Sequence, residues 1–164
     1  MKNLVLIGMP GSGKTAVGKS VAKQLMVSFV DIDTEIEKGY GKITEIFKKG
    51  EPFFRDIETA VTKKIAAGCG RVVATGGGVV LREENMAYLK KNGVVFFLDR
   101  PLDDLVAGTE IEDRPLLKQG AERLRELYEA RYGLYRKYAD VVIDGSKSFG
   151  DVVAAVTKRW EEVR

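Results

Sequence analysis

The chain has 164 residues, 45% hydrophobic and 31% charged, which is the balance of one globular domain large enough to bury a core. It contains no histidine and a single cysteine, Cys69, which excludes histidine-based triads, histidine or cysteine zinc cages and an intramolecular disulfide. The net charge of +3, from 27 basic and 24 acidic residues, is too small to argue for nucleic acid as a partner.

The first apolar run, Leu4 to Ile7, breaks at Gly8, and no apolar run approaches the roughly 20 residues of a membrane span. The expectation is therefore a cytoplasmic chain without membrane or nucleic-acid partners. Lys2 to Ile7 reads as a strand. Ala16 to Met26 has helical period, with Val17, Val21, Ala22 and Leu25 on one face. Ser28 to Ile32 is a second strand, and residues 34–49 form two small helices around Gly39-Tyr40-Gly41. Phe53 to Ala67 is helical, with Phe54, Ile57, Val61 and Ile65 at matching spacing. Arg71 to Ala74 is a third strand, Glu83 to Lys91 a helix and Val94 to Leu98 a fourth strand. Leu102 to Leu117 is expected to be mobile. Ala121 to Tyr138 is a long helix, Val141 to Ile143 a fifth strand and Phe149 to Val163 a closing helix.

Several of these strands are continuous apolar runs, the pattern of strands buried on both faces. Alternation of strands with helices implies right-handed βαβ crossovers, a parallel sheet and a three-layer α/β/α domain. Ligands of such sheets bind at the carboxyl ends of the strands.

Gly8-Met9-Pro10-Gly11-Ser12-Gly13-Lys14-Thr15 matches the phosphate-loop pattern G-x-x-x-x-G-K-[ST] in full, between a strand and an amphipathic helix. Glycines there let backbone N–H groups turn inward around phosphate oxygens, and the helix N-terminus adds partial positive charge. Lys14 is suited to the β/γ-phosphates and Thr15 to Mg²⁺. The expected nucleotide cradle is Gly11, Ser12, Gly13, Lys14, Thr15 and Ala16. The Asp144–Ser148 link after strand five, which carries Lys147, is a candidate to pass beside the base, although nothing in its spacing alone shows that. No Asn-Lys-x-Asp guanine motif is present, which favours ATP over GTP.

Asp31-Ile32-Asp33 closes the second strand, so a period of two puts both carboxylates on one face at the ligand end. One suits magnesium-bound water and the other the proton of an acceptor hydroxyl; the alternative is that Asp33 caps the next helix. Arg55 and Glu58 are three apart on a helix, the spacing of an ordinary exposed pair. Arg131 lies in the apolar stripe Leu124, Leu127, Tyr135 and Tyr138. A guanidinium there needs either an internal salt bridge or an anionic ligand. Gly76-Gly77-Gly78 follows strand three and suits close approach of backbone to a small ligand, or merely a flexible turn. Ala107 to Asp113, followed by Arg114-Pro115-Leu116-Leu117, suits a lid that delivers Arg114 to a transferring phosphoryl group, or a plain surface loop.

In order along the chain, these motifs resemble the shikimate kinase family over Leu4 to about Val156. They are the phosphate loop, Asp31-x-Asp33, Gly50-Glu51-x-x-Phe54-Arg55-x-x-Glu58, Gly76 to Gly78, Arg114 to Leu117 and Leu127-Tyr128-x-x-Arg131-x-x-Leu134-Tyr135. The resemblance implies one P-loop kinase domain over residues 1–164, sheet order 2-3-1-4-5, an acceptor-binding region at 34–60 and a mobile lid at 107–117. It implies ATP-dependent phosphorylation of the 3-hydroxyl of shikimate by a monomer. Asp33 would bind the substrate hydroxyls and act as base. Arg55, Arg131, Gly77 and Gly78 would hold the carboxylate, with Glu58 orienting Arg55. Asp31 would hold Mg²⁺ through water beside Thr15, and Lys14 and Arg114 would stabilise the phosphoryl group.

Two positions depart from the family pattern. Members often carry another arginine near the start of the lid, by the adenine, whereas this chain has Val106-Ala107-Gly108-Thr109-Glu110. The proline usual two residues after the Arg131 position is Gly133 here. Competing readings are another small P-loop kinase, for gluconate or a nucleoside monophosphate, and a nucleotide-binding module without turnover.

Overall fold

The computed structural model of the chain describes residues 1–111 and 118–164. Five strands, β1 (Asn3–Ile7), β2 (Ser28–Asp31), β3 (Arg71–Ala74), β4 (Gly93–Asp99) and β5 (Val141–Asp144), form one parallel sheet in the order β2-β3-β1-β4-β5. The helices are α1 (Lys14–Leu25), α2 (Ile32–Tyr40), α3 (Ile43–Phe47), α4 (Glu51–Ala66), α5 (Glu83–Lys91), α6 (Leu102–Ile111), α7 (Lys118–Tyr138) and α8 (Phe149–Val163). No helix among the described residues is long and apolar enough to cross a membrane.

The continuous apolar strands divide their side chains between two cores. Val5, Ile7, Val73, Val95 and Phe97 face a core completed by Ile32 and Ile36 of α2, Phe54, Ile57 and Val61 of α4, Met86 and Leu89 of α5, and Tyr135 of α7. Leu4, Leu6, Val72, Val94, Phe96 and Leu98 face the opposite core, closed by Val17 and Val21 of α1 and by Val152, Val156 and Trp160 of α8. Alternation within an uninterrupted apolar run is what a strand covered on both sides requires, so the three layers follow. Gly18 sets how closely α1 approaches β2: a Cβ there would lie 2.6 Å from the Phe29 ring.

Three local expectations change. The second strand ends at Asp31, not Ile32, and α2 starts immediately, so Asp31 and Asp33 do not share a strand face. The helix cap is Asp31 rather than Asp33: its carboxylate accepts from the Thr34 amide at 3.1 Å. A short polar residue competes for the first free amides of a helix, and here that competition ends the strand. The stretch from Leu102, given no helix from the sequence, contains α6 as far as Ile111, with Leu105 buried. The lid residues 112–117, Arg114 among them, lie outside the described residues.

Candidate active site

The carboxyl ends of β1, β2, β3 and β4 open on one side of the sheet, and the phosphate loop leaves β1 at their centre. Gly11 and Gly13 adopt φ of +81° and +94°, the left-handed region that a Cβ resists, so glycine at both points shapes the loop. Lys14 folds back over it, donating to the Gly8 carbonyl at 2.6 Å and the Met9 carbonyl at 2.9 Å. Burial lowers its pKa to about 8, against the opposing pull of Asp33 and Asp31. The Ser12 hydroxyl is buried without a hydrogen-bond partner among the described residues, and Ala16 is exposed in the first turn of α1.

Thr15 donates its hydroxyl to Asp31 at 2.7 Å, which brings two hard oxygen donors together at the rim of the loop. They suit Mg²⁺, which favours oxygen ligands and keeps several waters while using few protein groups. No cluster of three or more acidic or cysteine side chains that could hold a metal occurs among the described residues. A magnesium ion here would therefore draw most of its ligands from phosphate and water.

On the β2 and β3 side lies a cavity of about 180 Å³ whose walls include Asp33, Arg55, Glu58, Gly76, Gly77, Gly78 and Arg131. The structure thus brings together residues spread over nearly 100 positions of sequence. Arg55 is no exposed helix residue: it and Glu58 are 9% and 1% exposed, and Arg55 Nη1 donates to Glu58 Oε1 at 2.9 Å. Glu51, quoted in the sequence motif but given no role there, accepts from Arg55 Nε and Nη2 at 3.3 Å each. The guanidinium also lies 5.0 Å from the centre of the Phe54 ring.

Arg131 is 8% exposed and makes no ion pair within 4 Å among the described residues. The internal salt bridge weighed from the sequence is therefore absent there. Arg131 instead lies beside Tyr135, whose hydroxyl donates to the Gly77 carbonyl at 2.6 Å. Burial pushes the Tyr135 pKa up to about 12. Tyr135 was marked in the sequence only as part of an apolar stripe; its link to the glycine segment is tertiary.

The glycine triplet is needed for space. A Cβ at Gly76 would lie 2.8 Å from Asp33 Oδ1, one at Gly77 would lie 2.7 Å from Pro10, and one at Gly78 would overlap the Arg55 guanidinium. Burial, reinforced by Asp31, raises the pKa of Asp33, while Lys14 and Arg55 oppose the shift. Burial likewise raises that of Glu58, against Arg55. A half-buried carboxylate beside a lysine and an arginine is equipped to bind a hydroxyl and take its proton.

On the other flank of the loop, towards β4 and β5, is a larger cavity of about 440 Å³. Ser12, Gly13 and Lys147 line it, as the sequence led one to expect, and so does Arg100, which it did not indicate. Its position directly after β4, at the ligand end of the sheet, was the available signal.

Comparison with known proteins settles the lineage of this arrangement. The sequence pattern described as "Shikimate kinase" matches residues 10–161. The chain belongs to the shikimate kinase family. It is 51% identical to the shikimate kinase of Thermodesulfovibrio yellowstonii over 170 aligned residues, covering 99% of this chain and 97% of that one. It is 43% identical to the shikimate kinase of Clostridium botulinum (strain Eklund 17B / Type B) over 160 residues, covering 96% and 97%. The solved shikimate kinase of Acinetobacter baumannii in complex with shikimate superposes with a TM-score of 0.88 at 32% identity, over 99% of this chain and 93% of that one. Shikimate kinases are phosphotransferases that use ATP, and family membership outweighs the gluconate and nucleoside monophosphate readings.

Proposed function

We propose that the chain transfers the γ-phosphoryl group of ATP to the 3-hydroxyl of shikimate, giving shikimate 3-phosphate and ADP on the route to aromatic amino acids. The observation that carries this reading is the convergence of Asp33, Arg55, Glu58, the glycine triplet and Arg131 on one cavity beside the phosphate loop. Two guanidinium groups, one with no carboxylate partner among the described residues, suit the bidentate capture of a substrate carboxylate. Glu58 orients Arg55, and Tyr135, beside Arg131, holds the Gly77 carbonyl.

Asp33 accepts the proton of the 3-hydroxyl as its oxygen bonds to the γ-phosphorus and the bond from phosphorus to the bridging oxygen breaks, leaving ADP. Lys14 exchanges its two backbone carbonyl partners for phosphate oxygens and neutralises charge that builds in the transition state. Arg114 is assigned the same role from the lid, residues 107–117. The nucleotide sits over Gly11 to Ala16 with Lys147 beside the base. Thr15 and Asp31 would hold Mg²⁺, which would supply charge neutralisation at the phosphates.

The acceptor region is 34–60 within a single domain, 1–164. We assign it as a cytoplasmic monomer, with small molecules as its partners. A coupled ADP-release assay with shikimate, gluconate and CMP in parallel tests the reading. Release should depend on shikimate; equal or greater release with gluconate or CMP overturns it.

A further inference from the structure

Arg100 is the residue of the larger cavity that no role above uses. Its backbone is fixed at three points just beyond β4. Its amide donates to the Leu98 carbonyl at 3.1 Å, the Gly145 amide donates to the Asp99 carbonyl at 2.9 Å, and a Cβ at Gly145 would lie 2.9 Å from Arg100 N. From there the side chain crosses to the phosphate loop, where Nη1 donates to the Gly11 carbonyl at 2.8 Å. No carboxylate among the described side chains lies within 4 Å of the guanidinium. Across the cavity stand Lys147 and Phe149, and Gly108 of α6 leaves room beside Arg100: a Cβ at that glycine would lie 3.2 Å from Arg100 Nη2.

A nucleotide whose phosphates lie in the loop must extend its nucleoside to one flank. The flank at β2 and β3 is small, about 180 Å³, and crowded with four ionisable side chains. The flank at β4 and β5 is about 440 Å³ and mixes Val17, Ala107 and Phe149 with polar groups. A planar cation along its wall, with one N–H engaged and no carboxylate within 4 Å among the described side chains, is suited to lie against an aromatic base. We propose that Arg100 is the base-side clamp of the nucleotide in this chain, reaching from the end of β4 into space left open by Gly108. This rests on the ATP-dependent reading of the site but not on the identity of the acceptor.

The test is binding without shikimate, comparing ADP, which has a base, with inorganic tripolyphosphate, which has none. Calorimetry on Arg100→Ala and Arg100→Gln should show ADP binding weakened about 3- to 30-fold, the range of a desolvated cation–π contact. Tripolyphosphate affinity should stay within about twofold of the parent under the same rule of roughly tenfold per 1.4 kcal/mol. Arg100→Gln retains a donor for the Gly11 carbonyl, so it separates loss of the cation from loss of the tether. A second variant moves the group: Arg100→Ala combined with Gly108→Arg should recover most of the lost ADP affinity.

Equal losses for ADP and tripolyphosphate would overturn the proposal, reducing Arg100 to a loop tether or phosphate contact. Unchanged ADP binding in both single variants would also overturn it, as would a folded exchange variant that recovers nothing. A chain that bound ADP through Arg100 yet phosphorylated no shikimate would fail the acceptor reading and leave this one standing.

Discussion

The two flanks of the phosphate loop solve different problems with different materials. On the acceptor flank, Asp33 comes from α2, Arg55 and Glu58 from α4, and Arg131 from α7, all crowded around three glycines whose missing side chains leave space for charged groups. The nucleotide flank is bounded by two loops at the ends of β4 and β5, the phosphate loop with the first turn of α1, and the helices α6 and α8, and is more than twice as large. Charge is concentrated where discrimination is needed and dilute where a nucleoside must slide in. The loop between them supplies the shared element, fixed by a contiguous motif and by glycine at two left-handed positions. Among the perturbed ionisable groups, Lys14, Asp33, Glu58 and Tyr135 lie on the loop or acceptor side, while Tyr132 beside Asp99 and Asp144 with Ser146 are shifted at the ends of β4 and β5.

The sharpest way to break this picture is at the shared element. Lys14→Ala should lower kcat by on the order of 10³- to 10⁵-fold with the fold retained, because it removes a charge aimed at the phosphoryl group in transit. Turnover close to the parent would mean that the loop does not serve catalysis. The same lysine gives a pH signature. Its pKa is lowered to about 8 by burial, so the free enzyme loses the charge as pH rises through that value. A fall in kcat/KM for ATP above about pH 8 is expected, measured with shikimate saturating.

Asp33→Asn comes next. It should reduce kcat by about 10²- to 10⁴-fold, the usual contribution of a positioned base, and leave ADP binding on the other flank unchanged. Loss of ADP affinity in that variant would show that the two flanks are not separate in function.

The arginines sharpen the comparison further. Replacing Arg55 or Arg131 by lysine should weaken shikimate binding by about 10- to 150-fold, the equivalent of charge-assisted hydrogen bonds worth roughly 1.5–3 kcal/mol. The planar fork, not the charge alone, is what matters. An analogue with the carboxylate reduced to a neutral carbinol should bind poorly to the parent and lose little more in either variant. Simply additive losses would mean that neither arginine reads the carboxylate.

Tyr135→Phe is the mildest. It leaves the Gly77 carbonyl without its 2.6 Å donor in a buried setting. Urea unfolding should record a loss of about 1–3 kcal/mol, and KM for shikimate should rise a few-fold while kcat stays near the parent value. A KM that does not move would make Tyr135 structural only.

The sheet order was expected from resemblance, while the strands and most helices were legible from period and from glycine punctuation. The exceptions are instructive. Asp31 and Asp33 read as one strand face because period two was extended across a boundary that a capping hydrogen bond sets. The stretch from Leu102 reads without a helix because it is rich in small and acidic residues, yet it contains α6 with Leu105 in the core. The bland alternatives for Arg55 and Arg131, an exposed pair and an internal salt bridge, fail for one reason: spacing on a helix reports what shares a face, not what that face meets.

Contiguous sequence by itself determined the phosphate loop, the alternation of strands and helices, and the absence of histidine chemistry. These are properties of local geometry and residue type, and they need no knowledge of distant contacts. Tertiary structure alone decided that Arg55 and Glu58 are buried in the acceptor cavity, that Tyr135 reaches Gly77, and that Arg100 reaches Gly11. Each of the last two contacts joins segments brought side by side by strand order in a parallel sheet. The crossover connections put residues from opposite ends of the chain within a hydrogen bond of one another, and no period in the sequence records that adjacency.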